Sequence, residues 1–278
     1  MDNLNIDLYL VPYDFTTTTE QAFKFALNLA HKGGGRIMLA HIVKKGDQVS
    51  VYEKKLSGII SKLSAEDQAI VEAKVIEGNV FSDINKIANT VGASVIVMGT
   101  HGSSGLKKIF GSDALKVVSN SNVPFILTQE GQEVHEINDI VMPFSFARES
   151  VQVTQVAASL AKKYDATIHL VGYRDKDEWL LRDMRTNQAI VRKHLNEHGI
   201  KYNIANLPNK EGYEKELMAY ARIVDADLIA AAYFSQGIRG VFHSFIEAMI
   251  ANDDKIPIIT INAPEVMAVT SGFSFLTT

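Results

Sequence analysis

The sequence repeats itself once, and this internal repeat constrains the fold more than any other feature. Near the N-terminus a short apolar run, Leu8 to Pro12, precedes a helical pattern and a second apolar run, Arg36 to Val43. The same order returns with Asp139 to Pro143 and Thr167 to Val171, and Pro12 aligns with Pro143. A repeat this long and in the same order indicates that one domain has been duplicated.

Each copy predicts a strand, a helix and a second strand joined by short loops. The apolar residues between the runs recur at the spacing of one helix face. They are Ala22, Phe25, Ala26, Leu29 and Ala30 in the first copy, and Val153, Val156, Ala157, Leu160 and Ala161 in the second. Such a unit implies parallel strands. We therefore predict an α/β protein of two tandem Rossmann-like domains, each with a roughly five-stranded parallel sheet and helices on both faces.

The limits of the repeat place the domain boundaries. Residues 1–130 form the predicted first domain, residues 138–262 the second, and residues 263–278 a C-terminal tail outside the repeat. The segment between the two domains is polar and carries Gly131, as a linker would. The length of 278 residues also suits two domains of about 140 residues each.

Composition excludes several classes of function. The chain has no cysteine, which rules out disulfides and thiol catalysis and fits a reducing compartment. It has no basic patch with interleaved aromatic residues, so we expect no nucleic-acid partner. No stretch approaches the ~20 apolar residues of a membrane span, and the N-terminus lacks the pattern of a signal peptide. We therefore expect no membrane partner and a cytoplasmic location.

A glycine-rich segment after a predicted buried strand carries the main functional signal. It runs from Val97 to Ser112, and glycines within it let backbone N–H groups approach an anion. The predicted helix that follows, Asp113 to Ser119 with Ser112 as its N-cap, offers further N–H groups. The glycines fall as G-x-x-G-x-x-G, which is neither a Walker loop nor a dinucleotide fingerprint. By spacing alone, a phosphate-binding loop and a glycine-rich turn without a ligand fit the segment equally well.

These residues together resemble the universal stress protein family. Gly99-x-x-Gly102, a spacer and Gly111-Ser112 are similar to the ATP-binding motif of that family, and Val11 to Asp14 is similar to the end of its first strand. The resemblance covers residues 5–262 and implies the fold of the adenine nucleotide alpha-hydrolases. It also implies a stress-response protein that binds ATP, or ADP or AMP, with or without Mg²⁺, as a regulatory module. The implied nucleotide-binding residues are Pro12, Asp14, Ile42, Met98, Gly99, Gly102, Gly111, Ser112 and Asp113.

The resemblance also implies a role for each part of this site. Asp14 would contact the nucleoside, Ile42 would pack near the adenine, and Gly111 and Ser112 would contact phosphate together with the backbone N–H of Asp113. Two features depart from the family pattern. The spacer from Ser103 to Phe110 is one residue shorter than usual, and Asp113 places a carboxylate beside the expected phosphates.

The second half has lost the motif, so we expect no phosphate site there. Ser145 matches Asp14, Ala231 or Ala232 stands near Gly99, Phe234 falls at the position of Gly102, and His243 replaces Gly111. Side chains at these positions would occupy the space through which a phosphate reaches the backbone. The second half is then either structural or holds a different small ligand.

Three functions compete on the sequence alone. The first is a nucleotide-binding regulatory module that is not an enzyme, with no catalytic residue and no metal site. The second is a weak ATP hydrolase or adenylyl transferase that uses the same loop, and the third is a scaffold without nucleotide. His194 and His198 match the H-x-x-E-H zinc-protease pattern, but they lie in the last turn of a predicted helix and no third ligand follows.

Two short apolar segments predict how the halves meet. Single-domain members of the resembling family pair through an edge strand, and the matching segments are Pro124 to Thr128 and Pro257 to Ile261. Two such edges in one chain have a high effective concentration for each other, and pairing removes both exposed edges. We expect an internal pseudo-dimer of the two halves, with a homodimer of chains as a further level of assembly. The tail from Ala263 either covers the first half or adds to a neighbouring chain.

Overall fold

The computed structural model describes residues 6–44, 46, 49–100, 111–132, 136–145, 151–208, 212–234 and 239–263. The first half alternates strands and helices in the order that the repeat predicts. Its elements are β1 (Leu8–Pro12), α1 (Thr17–Gly33), β2 (Arg36–Val43), α2 (Val49–Ile60), α3 (Ala65–Ile70), β3 (Val71–Glu77), α4 (Val80–Val91), β4 (Val95–Thr100), α5 (Gly111–Ser119) and β5 (Phe125–Gln129).

The second half returns to the same alternation. Its elements are β6 (Asp139–Pro143), α6 (Thr154–Tyr164), β7 (Thr167–Tyr173), α7 (Glu178–Glu197), β8 (Tyr202–Leu207), α8 (Tyr213–Ile223), β9 (Leu228–Ala230), β10 (Tyr233–Phe234), α9 (Arg239–Ile250), β11 (Ile258–Thr260) and β12 (Asn262–Ala263). The predicted α/β class is confirmed. Residues 264–278, most of the predicted tail, lie outside the described residues.

Both halves contribute to one ten-stranded sheet. Its order is β3-β2-β1-β4-β5-β11-β9-β6-β7-β8, and the neighbouring strands are parallel within each half. The halves join where β5 and β11 run antiparallel, with Ile259 opposite Ile126 and Thr260 opposite Phe125. The predicted pairing of these two segments is therefore confirmed. A separate small sheet forms where β10 pairs in parallel with β12.

A hydrophobic core on one face of the sheet continues across this seam. It contains Tyr9, Val97 and Ile126 from the first half together with Ile140 and Ile259 from the second. Helices α1 and α6 also meet on this face. The halves are therefore joined by helices as well as by strands, which the strand pairing alone did not predict.

Two tyrosines, Tyr9 of β1 and Tyr164 of α6, form a polar contact between the halves beside α1. The hydroxyls of Tyr9 and Tyr164 lie 2.9 Å apart, and the Tyr164 hydroxyl donates to the Leu29 carbonyl oxygen at 3.0 Å. Nearby, Lys163 Nζ donates to the Ile6 carbonyl oxygen. Because unsatisfied buried polar groups are costly, these bonds fix the position of one half against the other.

Burial of these tyrosines predicts a loss of stability in alkali. Burial raises the pKa of Tyr164 to about 12 and raises that of Tyr9 as well. A tyrosine in the unfolded chain ionises near pH 10, so above about that pH ionisation favours the unfolded state. We expect the contribution of these tyrosines to the free energy of unfolding, measured by urea titration, to be constant below about pH 10 and to fall above it. Tyr164→Phe should make the fall shallower.

A pH titration followed by the ultraviolet absorbance of tyrosinate can contradict this prediction. The chain has nine tyrosines. If all of them ionise near pH 10 while the protein stays folded, the tyrosines at the seam are not protected as the structure requires.

No helix in the described part of the chain is both long enough and apolar enough to cross a membrane.

Candidate nucleotide site

The site predicted in the first half lies where the strand order of the sheet reverses. From β1 the chain proceeds outward to β2 and β3 on one side, and β4 and β5 lie on the other side. In open parallel sheets, ligands bind at the carboxyl ends of the strands at such a switch point. Pro12 lies opposite Ala40, and Leu10 lies opposite Ile96. This register brings the ends of β1, β2 and β4, and thus Asp14, Ile42 and Thr100, to the same edge of the sheet.

Asp14 is exposed just after β1, and it organises the start of α1. Its Oδ1 accepts hydrogen bonds from Thr16 N at 3.1 Å, Thr16 Oγ1 at 2.6 Å and Thr19 Oγ1 at 3.0 Å. Thr16 is the N-cap of the helix and accepts a bond from Thr19 N. Oδ2 accepts no hydrogen bond among the described residues. An Asp-x-Thr sequence before a helix is a recognised signal for such a turn, and the sequence analysis overlooked it.

The residue after Asp14 has an unusual backbone. Phe15 has a φ of 66°, in the left-handed region that a bulky residue rarely adopts. Its ring lies 4.8 Å from the His41 ring and 6.2 Å from the Tyr52 ring, which it stacks on. His41 Nδ1 donates to the Tyr13 carbonyl oxygen at 2.7 Å. These contacts hold the loop after β1 in its strained form, and strain of this kind is concentrated at functional sites.

The structure corrects the predicted positions of Met98 and Gly99. Both lie inside β4 and are buried, whereas the resemblance implies that they line the loop after the strand. A methyl group on Gly99 would lie 2.7 Å from Thr18 Cγ2 and closer still to the Thr18 carbonyl oxygen. Gly99 is therefore needed so that the first turn of α1 can pack on β4. Because α1 begins beside Asp14, this packing also fixes the position of the carboxylate.

The other predicted residues divide between strands, helix and loop. Pro12 is buried within β1, and Ile42 near the end of β2 is half-buried and packs against the core of the other face. Gly102 lies outside the described residues. Helix α5 begins at Gly111, so Ser112 and Asp113 lie in its first turn. The prediction of Ser112 as the N-cap is wrong, since the helix begins before it.

The corresponding edge of the second half presents no exposed carboxylate at the position of Asp14, because its sequence has Ser145 there. Ser145, which matches the exposed Asp14, is buried, and Asn187 of α7 donates to its carbonyl oxygen at 2.9 Å. Ala231 is also buried near the end of β9. Helix α7 thus closes over the position where the first half presents a carboxylate. The side chains of Phe234 and His243 lie outside the described residues.

The two histidines of the H-x-x-E-H pattern contact each other at the end of α7. Their ring centroids are 4.2 Å apart, and His198 Nδ1 donates to the His194 carbonyl oxygen at 2.8 Å. The hydrogen bond to the His194 backbone therefore occupies one ring nitrogen of the two histidines, Nδ1 of His198. In the described part of the chain, no group of three or more histidine, aspartate or glutamate residues is placed to hold a metal ion.

Comparisons with known proteins bear on both halves. Residues 9–129 match the sequence model of the Universal stress protein family. A universal stress protein from Methanocaldococcus jannaschii is 26% identical over 137 residues, which cover 44% of this chain and 81% of that protein.

Among solved structures, a universal stress protein from Archaeoglobus fulgidus has a TM-score of 0.70 at 17% identity, covering 93% of this chain and 99% of that one. A protein of unknown function from Pseudomonas aeruginosa has a TM-score of 0.61 at 12% identity, covering 94% of each chain. At these identities the structures establish the fold of the whole chain, while the sequence match covers the first half. Residues 9–129 therefore match the universal stress protein family, and nearly the whole chain shares the fold of a solved universal stress protein.

Proposed function

We propose that this protein is a stress-response regulator that binds ATP, or ADP or AMP, at one site in its first half. The observation that carries the proposal is the position of Asp14. Its exposed carboxylate lies at the switch point between β1 and β4, level with the ends of β2 and β4. A carboxylate there can accept hydrogen bonds from ribose hydroxyls or from an adenine amino group, because Oδ2 is not used by the helix start.

The phosphates would then lie toward the loop after β4 and the first turn of α5. Helix N-termini present unpaired N–H groups and a positive dipole end, which favour anions. Gly111, Ser112 and Asp113 form that first turn, and Gly102 precedes it in the sequence. Mg²⁺ would offset the charge of Asp113 beside the phosphates.

Calorimetric titration with ATP tests the site. We expect the parent protein to bind one ATP per chain, and Gly102→Val to weaken binding at least about tenfold, or about 1.4 kcal/mol, because a branched side chain blocks the phosphate approach. Gly58→Val is the matched control. Gly58 is exposed in α2 and no atom lies within 4 Å of an added Cβ, so ATP affinity should be unchanged.

Two results would contradict this proposal in different ways. Equal ATP affinity in Gly102→Val and the parent would mean that the phosphates lie elsewhere. A stoichiometry of two would mean that the second half kept a site despite its sequence. If the parent binds neither ATP, ADP nor AMP, the scaffold function replaces the nucleotide-binding one.

The proposal is for binding rather than turnover, because the Asp14 carboxylate already accepts hydrogen bonds from Thr16 and Thr19 at the start of α1, which suits a positioning role. Phosphate release from ATP and Mg²⁺ should be far below about one per second, the lower range of ordinary enzymes. Turnover at that rate, abolished in Asp14→Ala, would establish the hydrolase alternative instead.

A further inference from the structure

The second half contains a cavity that the proposed function does not use. It has a volume of about 390 Å³ and lies between α7 and the carboxyl ends of β7 and β8. Cavities of this size accommodate small organic molecules. The cavity lies on the α7 face of the sheet, and its described lining residues come from α7 and from the ends of β6, β7 and β8.

One difference between the two halves lies beside the cavity. Pro12 lies opposite Ala40 and Pro143 lies opposite Val171, so His41 of the first half corresponds to Gly172 of the second. In the first half, His41 packs against Phe15 and Tyr52, with ring centroids 4.8 and 4.3 Å apart. An aromatic cluster therefore fills the space above the ends of the strands.

Gly172 leaves the same space without a side chain of its own. The Phe144 ring lies over it instead, and a Cβ added to Gly172 would be 2.6 Å from Phe144 Cζ. Phe144 thereby becomes part of the cavity floor, together with the buried Tyr173 and Met184. This floor can accept an apolar or aromatic body.

The mouth of the cavity is charged. Arg174 and Arg185 line it and are exposed, and Asp175 lines it as well, which leaves an excess of one positive charge. Neither guanidinium takes part in an ion pair with the described residues. Guanidinium groups bind carboxylate and phosphate through paired, charge-assisted hydrogen bonds.

We infer that this cavity binds a small organic anion, with a carboxylate or phosphate held by Arg174 and Arg185 and an apolar body resting on Phe144 and Met184. The ligand site is separate from the nucleotide site in the first half. The duplication has then given the chain two sites of different chemistry at corresponding strand ends of its two halves.

Anilinonaphthalene sulfonate is a suitable fluorescent probe, since it joins an anionic group to an aromatic body. N-phenylnaphthylamine is its neutral match, because it lacks the sulfonate. We expect the anionic probe to bind the intact protein saturably and at least about tenfold more tightly than the neutral one. In the double variant Arg174→Gln and Arg185→Gln, that preference should disappear, with at least a tenfold loss in affinity for the anionic probe.

Arg182→Gln is the matched control for charge. Arg182 also lies on α7, but it sits over the exposed Trp179 ring, 5.9 Å from the ring centroid, and does not line the cavity. It should leave the affinity for both probes unchanged. Leu181→Trp would fill the cavity and should abolish saturable binding, with circular dichroism confirming that each variant is folded.

Displacement of the probe by benzoate and by phenyl phosphate identifies which anionic group the arginines prefer. The inference is overturned if the double arginine variant binds the anionic probe as tightly as the parent does, or if Leu181→Trp does so. It is also overturned if the neutral probe binds equally well, because the surface would then be only apolar. Gly102→Val should leave probe binding unchanged, so failure of the nucleotide proposal and failure of this one give separate results.

Discussion

Replacing Ile259 with aspartate should destabilise the whole chain by about 3–5 kcal/mol, because it buries an unpaired carboxylate where the two halves meet. Ile259 is fully buried in β11 opposite Ile126 of β5. The core around it includes residues of both halves, among them Tyr9 and Ile140. The effect should therefore reach the first half, although the substitution lies in the second.

Urea titration and hydrogen exchange together test this prediction. Amides of β1 and β4 should lose protection along with those of β6 and β9. Ile223→Asp is the control, since Ile223 is 80% exposed at the end of α8 and the same substitution there should cost less than about 1 kcal/mol. First-half amides that stay as protected as in the parent would show that the halves unfold independently and that the seam does not couple them.

Gly99→Ala is expected to destabilise the protein by about 1–3 kcal/mol, as overpacking of a tight interior usually does. The added methyl would press on Thr18, including its backbone, and backbone cannot move aside as cheaply as a side-chain end. Helix α1 would have to shift at the turn that Asp14 and Thr16 form. Thermal or urea unfolding measures the loss of stability, and ATP affinity should fall with it.

Gly58→Ala is the matched substitution, and its expected effect on stability is opposite to that of Gly99→Ala. Gly58 is exposed within α2, and an added Cβ would meet no atom within 4 Å. Alanine favours a helix over glycine by about 0.8–1 kcal/mol, so this variant should be slightly more stable than the parent. If Gly99→Ala behaves like Gly58→Ala, the close packing of α1 on β4 is not a feature of the protein in solution.

The repeat was sufficient to predict most of the architecture. Buried parallel strands require continuous apolar runs, and amphipathic helices require a stripe at helical spacing, so β1, α1 and β2 could be recognised from local pattern. The segments that became β5 and β11 were identified from the family resemblance, because single-domain members pair through the matching edge strand and pairing removes an unfavourable exposed edge. The contact of Tyr9 with Tyr164 gave no such signal, since it joins residues far apart in sequence, one in β1 and the other in α6.

The candidate site was predicted less completely. The sequence pattern placed Asp14 at the end of a strand, but its bonds to Thr16 and Thr19 depend on the turn that precedes α1. Glycine carries no side chain, so its sequence signal is the same whether a ligand or a helix approaches it. That ambiguity is why Gly99 was placed in the loop when it lies in β4 against Thr18.

The sequence by itself determined the duplication, the parallel sheets and the loss of the motif in the second half, because these follow from residue type, spacing and order along the chain. Only the tertiary structure decided that Phe144 lies over Gly172 and leaves a cavity where the first half has an aromatic cluster. The physical reason is that a cavity depends on volumes contributed by several elements at once. Removing the side chain at one strand position opens space only if the neighbours on β6 and α7 do not fill it.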